Sequence, residues 1–118
     1  MHIWNNQAPT SLMLGRYQPF HDGHLALFKA ALDRTDQVLI AVRDTGGTDD
    51  KNPFDFDFVK DCIVEKLVGY EGRYKIMLVP NITNILYGRD VGYKIEKISL
   101  GQEIESISAT NVRKEMGI

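Results

Sequence analysis

The fold is indicated first by one ten-residue stretch, Gly15-Arg16-Tyr17-Gln18-Pro19-Phe20-His21-Asp22-Gly23-His24. Before it, Leu12-Met13-Leu14 forms a short apolar run that stops at Gly15, as expected of a buried strand. After it, apolar residues recur at the spacing of one helical face, namely Leu25, Phe28 and Leu32. The stretch is therefore predicted to lead directly from a strand into a helix that ends near Arg34.

Further segments repeat this pattern. Residues 38–42 form a continuous apolar run typical of a strand that is covered on both faces, and residues 58–67 return to helical spacing. Residues 76–79 are predicted as another buried strand. The remaining predicted elements are a short strand over residues 85–87, an edge strand over residues 93–100 and a C-terminal helix over residues 108–116.

Strands that alternate with helices favour right-handed crossovers and a parallel sheet. We therefore predict an α/β, Rossmann-like parallel sheet with helices on both faces, in a single domain over residues 1–118. Ligands bind such sheets at the carboxyl ends of the strands. The candidate sites are consequently the loop over residues 15–24 and the loop over residues 44–52, which is predicted to be mobile.

Composition excludes several classes of protein. The net charge of −2 leaves no global positive field for a nucleic-acid backbone, so nucleic acid is not expected as a partner. The single cysteine, Cys62, rules out an intramolecular disulfide framework and fits a reducing, cytoplasmic setting. No stretch approaches the roughly 20 apolar residues of a membrane span, and none resembles a secretory signal.

Two histidines and an arginine meet in the first loop. His21 and His24 are three residues apart at the start of a helix, so both imidazoles can donate hydrogen bonds to one phosphoryl group. Gly23 allows a phosphate to approach the backbone, where the free N–H groups of the helix start attract anions. Together with Arg16, these donors suit phosphoryl or nucleotidyl transfer, which mainly requires alignment and charge neutralisation. Two such histidines also occur as helix caps or metal ligands, although no cysteine or third histidine accompanies them as in a zinc site.

Three segments together resemble one family. Residues 15–24 closely resemble the G-R-[FY]-Q-P-x-H-x-G-H loop of the H-x-G-H nucleotidyltransferase superfamily, which is cytidylyltransferase-like, in the form seen in archaeal-type nicotinamide-mononucleotide adenylyltransferases. Ile107-Ser108-Ala109-Thr110-Asn111-Val112-Arg113 looks like the superfamily's I-S-x-T-x-[IV]-R phosphate-binding motif. Lys51-Asn52-Pro53-Phe54 is similar to the K-N-P-F of the same subgroup. The segments occur in family order and frame residues 12–116.

This resemblance implies the nucleotidyltransferase fold and an enzyme that transfers a nucleotidyl group, AMP from ATP in the first instance, to a phosphate-bearing acceptor. The catalytic residues would be His21, His24 and Arg113, which stabilise the transition state and the departing pyrophosphate. The nucleotide-binding residues would be Gly15, Arg16, Gly23, Ser108 and Thr110. Mg²⁺ would be carried on the triphosphate, without dedicated protein ligands. Ser108 and Thr110 are equally suited to helix capping, and Arg113 to a surface ion pair.

The acceptor side departs from the family. Asn52 would lie near the acceptor, and Arg89 is a candidate for its phosphate, within a compressed segment over residues 87–93 that replaces missing length between Ile85 and Ile107. Nicotinamide mononucleotide is the first candidate acceptor; pantetheine phosphate, or a sugar or polyol phosphate with CTP, are alternatives. Asp22 replaces a lysine that is frequent in the nicotinamide enzymes, which exchanges an attracting charge for a repelling one. No role is assigned to Asp49, Asp50 or Asp90.

Two other classes of protein, a nucleotide-binding module and a metal-binding protein, remain compatible with these residues. A nucleotide-binding module without turnover is favoured by the shortened acceptor region, and a small metal-binding protein would use His21 and His24. Self-association is plausible because so small a domain encloses little substrate, and Ile3 and Trp4 offer apolar groups. The expected packing residues are Tyr17, Phe20 and Cys62, and solvated faces are expected for Lys60, Lys66, Lys94 and Lys97.

Overall fold

The computed structural model describes residues 2–89, 92–105 and 107–117. Three parallel strands form one sheet in the order β1-β2-β3. The elements in chain order are β1 (Thr10–Gly15), α1 (Asp22–Leu32), β2 (Gln37–Arg43), α2 (Phe56–Lys66), β3 (Tyr74–Val79), α3 (Gln102–Glu105) and α4 (Ala109–Glu115). The three main strands, the first two helices and the C-terminal helix that the sequence predicts are confirmed.

The core lies on one face of the sheet. The strand register aligns Met13, Ile40 and Ile76 across the sheet, and this row belongs to one apolar cluster with Phe28 of α1 and Ile63 of α2. Phe28, Ile40 and Ile63 are completely buried. Burial of such side chains removes apolar surface from water, which is the main favourable contribution to folding. The α/β, Rossmann-like class predicted from the sequence is therefore confirmed.

The distribution of the helices differs from the prediction of helices on both faces. Because the strand order follows the chain order, two right-handed crossovers place α1 and α2 on the same face. The opposite face carries Leu12 and Met77, which are 57% and 49% exposed. Within the described residues, the two crossover helices thus cover one face of the sheet.

The N-terminal segment is attached to the start of β2 by a buried glutamine. The side chain of Gln37 is completely buried, and its Nε2 donates to the backbone oxygen of Asn5 and to Oγ1 of Thr10, each at 2.7 Å. Its Oε1 accepts from the backbone N–H of Asn5 at 3.1 Å. Nearby, the ammonium group of Lys75 lies 5.3 Å from the centre of the Trp4 ring. These contacts hold residues 4–10 at the amino ends of the strands, while Ile3 remains exposed.

The two further strands predicted after β3 are wrong. Residues 85–87 and 93–100 contain no regular secondary structure, and Leu86 is 87% exposed. A short apolar run becomes a strand only when a neighbouring strand pairs with it, and the described sheet ends at β3. Asp90 lies outside the described residues. Among those that are described, no helix combines the length and the hydropathy needed to cross a membrane.

Candidate functional site

The loop between β1 and α1 turns sharply at Tyr17. Tyr17 has a φ of 52°, in the left-handed region that side-chain-bearing residues rarely adopt, and its ring is buried. A Cβ atom at Gly15 would lie 3.1 Å from that ring. Position 15 therefore favours glycine because the turned tyrosine occupies the space, and the predicted contact of Gly15 with a nucleotide stays a prediction.

The two histidines form a reciprocal cap at the start of α1. Nδ1 of His21 accepts from the backbone N–H of Gly23 at 3.1 Å, and the backbone N–H of His21 donates to Nδ1 of His24, also at 3.1 Å. The rings stack with their centroids 3.9 Å apart. Since each Nδ1 accepts a hydrogen bond, each neutral ring carries its proton on Nε2. The capping interpretation is thus confirmed, and the cap still leaves two neighbouring Nε2–H donors for a ligand.

Burial keeps this histidine pair neutral. Tyr17 contacts His24 edge to face with ring centroids 4.8 Å apart, and Phe20 lies 5.2 Å from the same ring. Desolvation, reinforced by the neighbouring His21, lowers the pKa of His24 to about 3. Desolvation also lowers the pKa of His21, against an opposing effect of Asp22. Both side chains therefore act as uncharged hydrogen-bond donors near neutral pH.

Gly23 makes room for the ring of His21. A Cβ at this position would lie 2.8 Å from Cε1 and 3.0 Å from Nδ1 of His21. The sequence predicts that Gly23 makes space for the nucleotide, and this contact stays a prediction. The structure shows a further reason for glycine here, because the His21 cap itself needs the space. A side chain at position 23 would displace His21 before any ligand arrives.

Arg16, which follows β1, is bonded to the loop after β2. Its Nη1 donates to Oδ1 of Asn52 at 3.0 Å. The amide nitrogen of Asn52 in turn donates to Oδ1 of Asp49 at 3.1 Å, and the side-chain and backbone hydrogen bonds from Asn52 lower the pKa of Asp49. Two residues predicted on opposite sides of the site are thus direct partners, and Asp49, which had no assigned role, orients one of them.

Gln18 connects the three sequence motifs. Its buried side chain makes two hydrogen bonds to the backbone of Phe54, donating to the oxygen at 3.0 Å and accepting from the N–H at 2.9 Å. Its backbone oxygen accepts from Nη1 of Arg113 at 2.6 Å. The first loop, the K-N-P-F segment and α4 consequently converge at one place.

The other predicted site residues differ in whether they contact the first loop. Ser108 is the N-cap of α4, where its hydroxyl accepts from the backbone N–H of Asn111 at 3.1 Å. Arg113 is anchored on the first loop by its hydrogen bond to the backbone oxygen of Gln18, whereas Thr110 and Arg89 are exposed. The structure thus brings Arg113 to the candidate site and gives Ser108 the capping role that its position suggests.

Two clefts flank this junction. The first, of about 710 Å³, lies between the start of α1, the end of α2 and α4, and its wall includes His21, Lys66 and Asn111. The second, of about 510 Å³, lies at the carboxyl ends of the three strands and is lined by Arg16, Arg43, Asp44, Thr45, Gly46, Asn52, Pro80 and Asn81. Thr110 and Arg89 line neither cleft. The candidate site therefore has two compartments, one beside the histidines and one beside the paired Arg16 and Asn52.

Comparison with protein families matches the first part of this arrangement. Residues 12–57, which include β1, the histidine loop, α1, β2 and the K-N-P-F segment, match the model of the cytidylyltransferase-like family. The resemblance stated for the histidine loop is therefore confirmed.

Named relatives and a solved structure agree with this family. The chain is 30% identical over 74 residues to a nicotinamide-nucleotide adenylyltransferase of Thermococcus onnurineus, a match that covers 60% of this chain and 40% of the relative. The corresponding protein of Methanococcus aeolicus is 29% identical over 73 residues, with 61% and 42% covered. The chain spans about 40% of the length of these relatives. A crystal structure of a bifunctional NMN adenylyltransferase/ADP ribose pyrophosphatase from Francisella tularensis is similar with a TM-score of 0.52 and 31% identity, over 63% of this chain and 22% of that one.

Asp22 in the cytidylyltransferase-like segment is compensated by α2. Its carboxylate pairs with the ammonium group of Lys66 at 2.6 Å, and this contact lowers the pKa of Asp22. Lys66 is exposed, as expected, and it also lines the first cleft, as His21 does. The negative charge between the two histidines is thus paired with a positive charge that comes from another element.

Two residues of this segment were missed as site residues. Gln18 belongs to the quoted loop, so its polar side chain between Tyr17 and Pro19 was the available signal. Arg43, the last residue of β2, lines the second cleft, and its signal was a charge at the carboxyl end of a predicted central strand. Cys62 is a free cysteine and is partly buried at the wall of the first cleft.

Proposed function

We propose that this protein transfers AMP from ATP to the phosphate of nicotinamide mononucleotide. In this reaction an oxygen of the acceptor phosphate forms a bond to the α-phosphorus, the bond from that phosphorus to the bridging oxygen breaks, and pyrophosphate leaves. The observation that carries the proposal is the histidine pair, whose Nδ1 atoms are occupied by capping while two stacked Nε2–H groups remain as donors. Paired donors at the start of a helix suit the charge that develops on a reacting phosphoryl group.

The residues are proposed to act in two compartments. His21, which lines the first cleft, and His24, which stacks on it, would stabilise the transition state. Arg113 would neutralise pyrophosphate from its place beside the same loop. Gly15, Arg16, Gly23, Ser108 and Thr110 remain the proposed nucleotide-binding residues. Asn52, bonded to Arg16, supports an acceptor in the second cleft. The exposed Arg89 contributes a weaker candidate for the same ligand.

Magnesium is proposed to enter with the triphosphate. Within the described residues, no group of three or more His, Cys, Asp or Glu side chains converges to hold a metal ion. The ion would be coordinated chiefly by phosphate oxygens and water, the usual mode for Mg²⁺ with nucleotides. When bound, the ion would supply additional neutralisation of phosphate charge.

The organisation of the protein is part of the proposal too. A single domain over residues 1–118 is consistent with one apolar cluster that joins both crossover helices to the sheet. A cytoplasmic location rests on the free Cys62. Self-association remains proposed on the exposed Ile3 and on the small size of the chain.

The test is pyrophosphate release in the presence of Mg²⁺, with ATP or CTP as donor and nicotinamide mononucleotide as acceptor. We expect release with ATP that falls at least about 100-fold in His24→Ala, because a donor to the transition state is removed. His2→Ala, which removes an imidazole at the opposite end of the sheet, should retain the rate. Release with CTP alone would indicate a cytidylyltransferase. ATP binding without release with any acceptor would indicate the non-catalytic module.

A further inference from the structure

We propose that Arg43 binds the phosphate group of the acceptor, with Arg16 as its neighbour, in the cleft at the carboxyl ends of the strands. This inference rests on the adenylyl transfer proposed above and adds a residue that recognises the acceptor. It is carried by the state of the Arg43 side chain and by the charge of the cleft.

The Arg43 guanidinium contains a buried donor without a partner. Arg43 is the last residue of β2, the central strand, and its Nε is buried with no hydrogen-bond partner among the described residues. Buried polar atoms in folded proteins are nearly always hydrogen-bonded, so this atom requires an explanation. Arg43 also lines the second cleft, so a phosphate bound there would provide the missing acceptor once the side chain turns this N–H toward it.

The backbone beneath this side chain is held in place by the sheet. Arg43 is in register with Val79 of β3, and the next residue, Asp44, donates its N–H to the oxygen of Val79 at 2.8 Å. A side chain that extends from a central strand has a better defined origin than one on a loop. The Arg43 side chain therefore starts from a fixed backbone position at the edge of the cleft.

The cleft carries an excess of positive charge suited to a phosphate. Two guanidinium groups, those of Arg16 and Arg43, line it together with one carboxylate, that of Asp44. The Asp44 carboxylate accepts a hydrogen bond from the backbone N–H of Gly46 at 2.8 Å. Arg16 donates one hydrogen bond to Asn52, which leaves further N–H groups for a ligand. Planar guanidinium groups match phosphate oxygens in pairs, so this set favours a phosphate monoester.

The division of the site assigns this phosphate to the acceptor. His21 and the α4 residue Asn111 line the first cleft, where the triphosphate is proposed to bind. The second cleft contains neither of them, but it contains Asn52, the residue proposed near the acceptor. Arg16, at the end of β1, would then contact the acceptor phosphate on the side that faces the α-phosphorus, without separating the two reacting groups.

The experiment measures binding by calorimetry, without turnover. Nicotinamide mononucleotide, nicotinamide riboside and inorganic phosphate are titrated separately into the wild-type chain, Arg43→Gln, Arg43→Lys and the control Arg34→Gln. Arg34 is exposed at the end of α1, so its replacement removes the same charge away from the cleft. We expect Arg43→Gln to weaken binding of the mononucleotide and of phosphate by about tenfold or more, with a smaller loss in Arg43→Lys. Riboside binding should be equal in all four proteins.

The inference would be overturned if the wild type and Arg43→Gln bound nicotinamide mononucleotide and inorganic phosphate with equal affinity. It would also be overturned if the wild type bound neither of these two ligands. If Arg43→Gln unfolds, as judged by circular dichroism, Arg43→Lys decides: weaker binding of phosphate-bearing ligands, with the riboside unchanged, supports the inference, and unchanged binding overturns it. If phosphate binding depends on Arg43 but no pyrophosphate is released, the proposed function is wrong and the inference about Arg43 stands. If pyrophosphate is released but binding of the phosphate-bearing ligands does not depend on Arg43, the inference is wrong and the proposed function stands.

Discussion

At the scale of single residues, the histidine loop shows how one side chain can be structural and available to a ligand at once. His21 and His24 use Nδ1 to satisfy backbone N–H groups that a helix start leaves unpaired. The neighbouring Tyr17 and Phe20 desolvate His24, as their predicted packing roles imply. The uncharged state of His24 follows from this burial.

This burial predicts a dependence of stability on pH. The pKa of His24 is lowered from 6.5 to about 3 in the folded protein. Between these two pH values the imidazole is therefore protonated in the unfolded chain and neutral in the folded chain. Stability is thus complete above pH 6.5 and declines as the pH falls toward 3. The slope should approach about 1.4 kcal/mol per pH unit between the two pKa values, where the unfolded chain binds one proton more than the folded chain.

Urea unfolding between pH 7 and pH 4.5 checks this prediction. His24→Asn keeps an acceptor near the position of Nδ1 but has no titratable ring, so its free energy of unfolding should vary less with pH than that of the wild type. Gln7→Asn, at an exposed side chain that does not titrate, provides the control and should preserve the wild-type slope. The same slope in His24→Asn and in the wild type would show that His24 titrates normally in the folded protein.

At the scale of elements, the site depends on contacts between loops more than on the helices themselves. Gln18 holds the backbone of Phe54, and Arg113 of α4 holds the backbone oxygen of Gln18. Asp22 at the start of α1 is paired with Lys66 at the end of α2. These contacts position the two clefts relative to the histidine pair.

Gln18→Ala should detach the K-N-P-F segment from the first loop. The substitution leaves a buried N–H and a buried oxygen of Phe54 without partners, which is expected to lower the free energy of unfolding by about 2 kcal/mol. Amide hydrogen exchange of residues 49–56 should accelerate while that of β1 changes little. Gln102→Ala, on the exposed surface of α3, is the control. Unchanged exchange in residues 49–56 would mean that Gln18 does not hold this segment.

At the scale of the whole molecule, the sheet carries its core on one face and is joined to the N-terminal segment at its amino ends. The histidine loop and the second cleft lie at the opposite, carboxyl ends of the strands. The Gln37 contacts therefore contribute to stability at a distance from the candidate site.

Gln37→Leu should separate stability from ligand binding. Loss of the hydrogen bonds to Asn5 and Thr10 is expected to cost about 1–3 kcal/mol and to expose Trp4, the single tryptophan. Urea unfolding and tryptophan fluorescence would show the loss as a lower midpoint and red-shifted emission. ATP affinity should stay unchanged. Gln7→Leu, at an exposed side chain, is the control; if both variants unfold at the wild-type midpoint, the Gln37 contacts contribute nothing.

The amino-acid sequence by itself determined the order of the main elements and the place of the histidine loop. Apolar runs and helical spacing are local properties, so β1 through β3, the crossover helices and α4 could be predicted. The short strands over residues 85–87 and 93–100 could not be judged in this way, because a strand exists only with a paired neighbour.

Tertiary structure alone decided which loops meet. Arg16 and Asn52 are 36 residues apart, and Arg113 and Gln18 are 95 apart, so the path of the chain brings them together. The pairing of Asp22 with Lys66 and the place of Arg43 in a cleft depend on the same path. The physical reason is that secondary structure follows from neighbours in sequence, whereas hydrogen bonds and burial between distant segments depend on how the sheet and its helices pack.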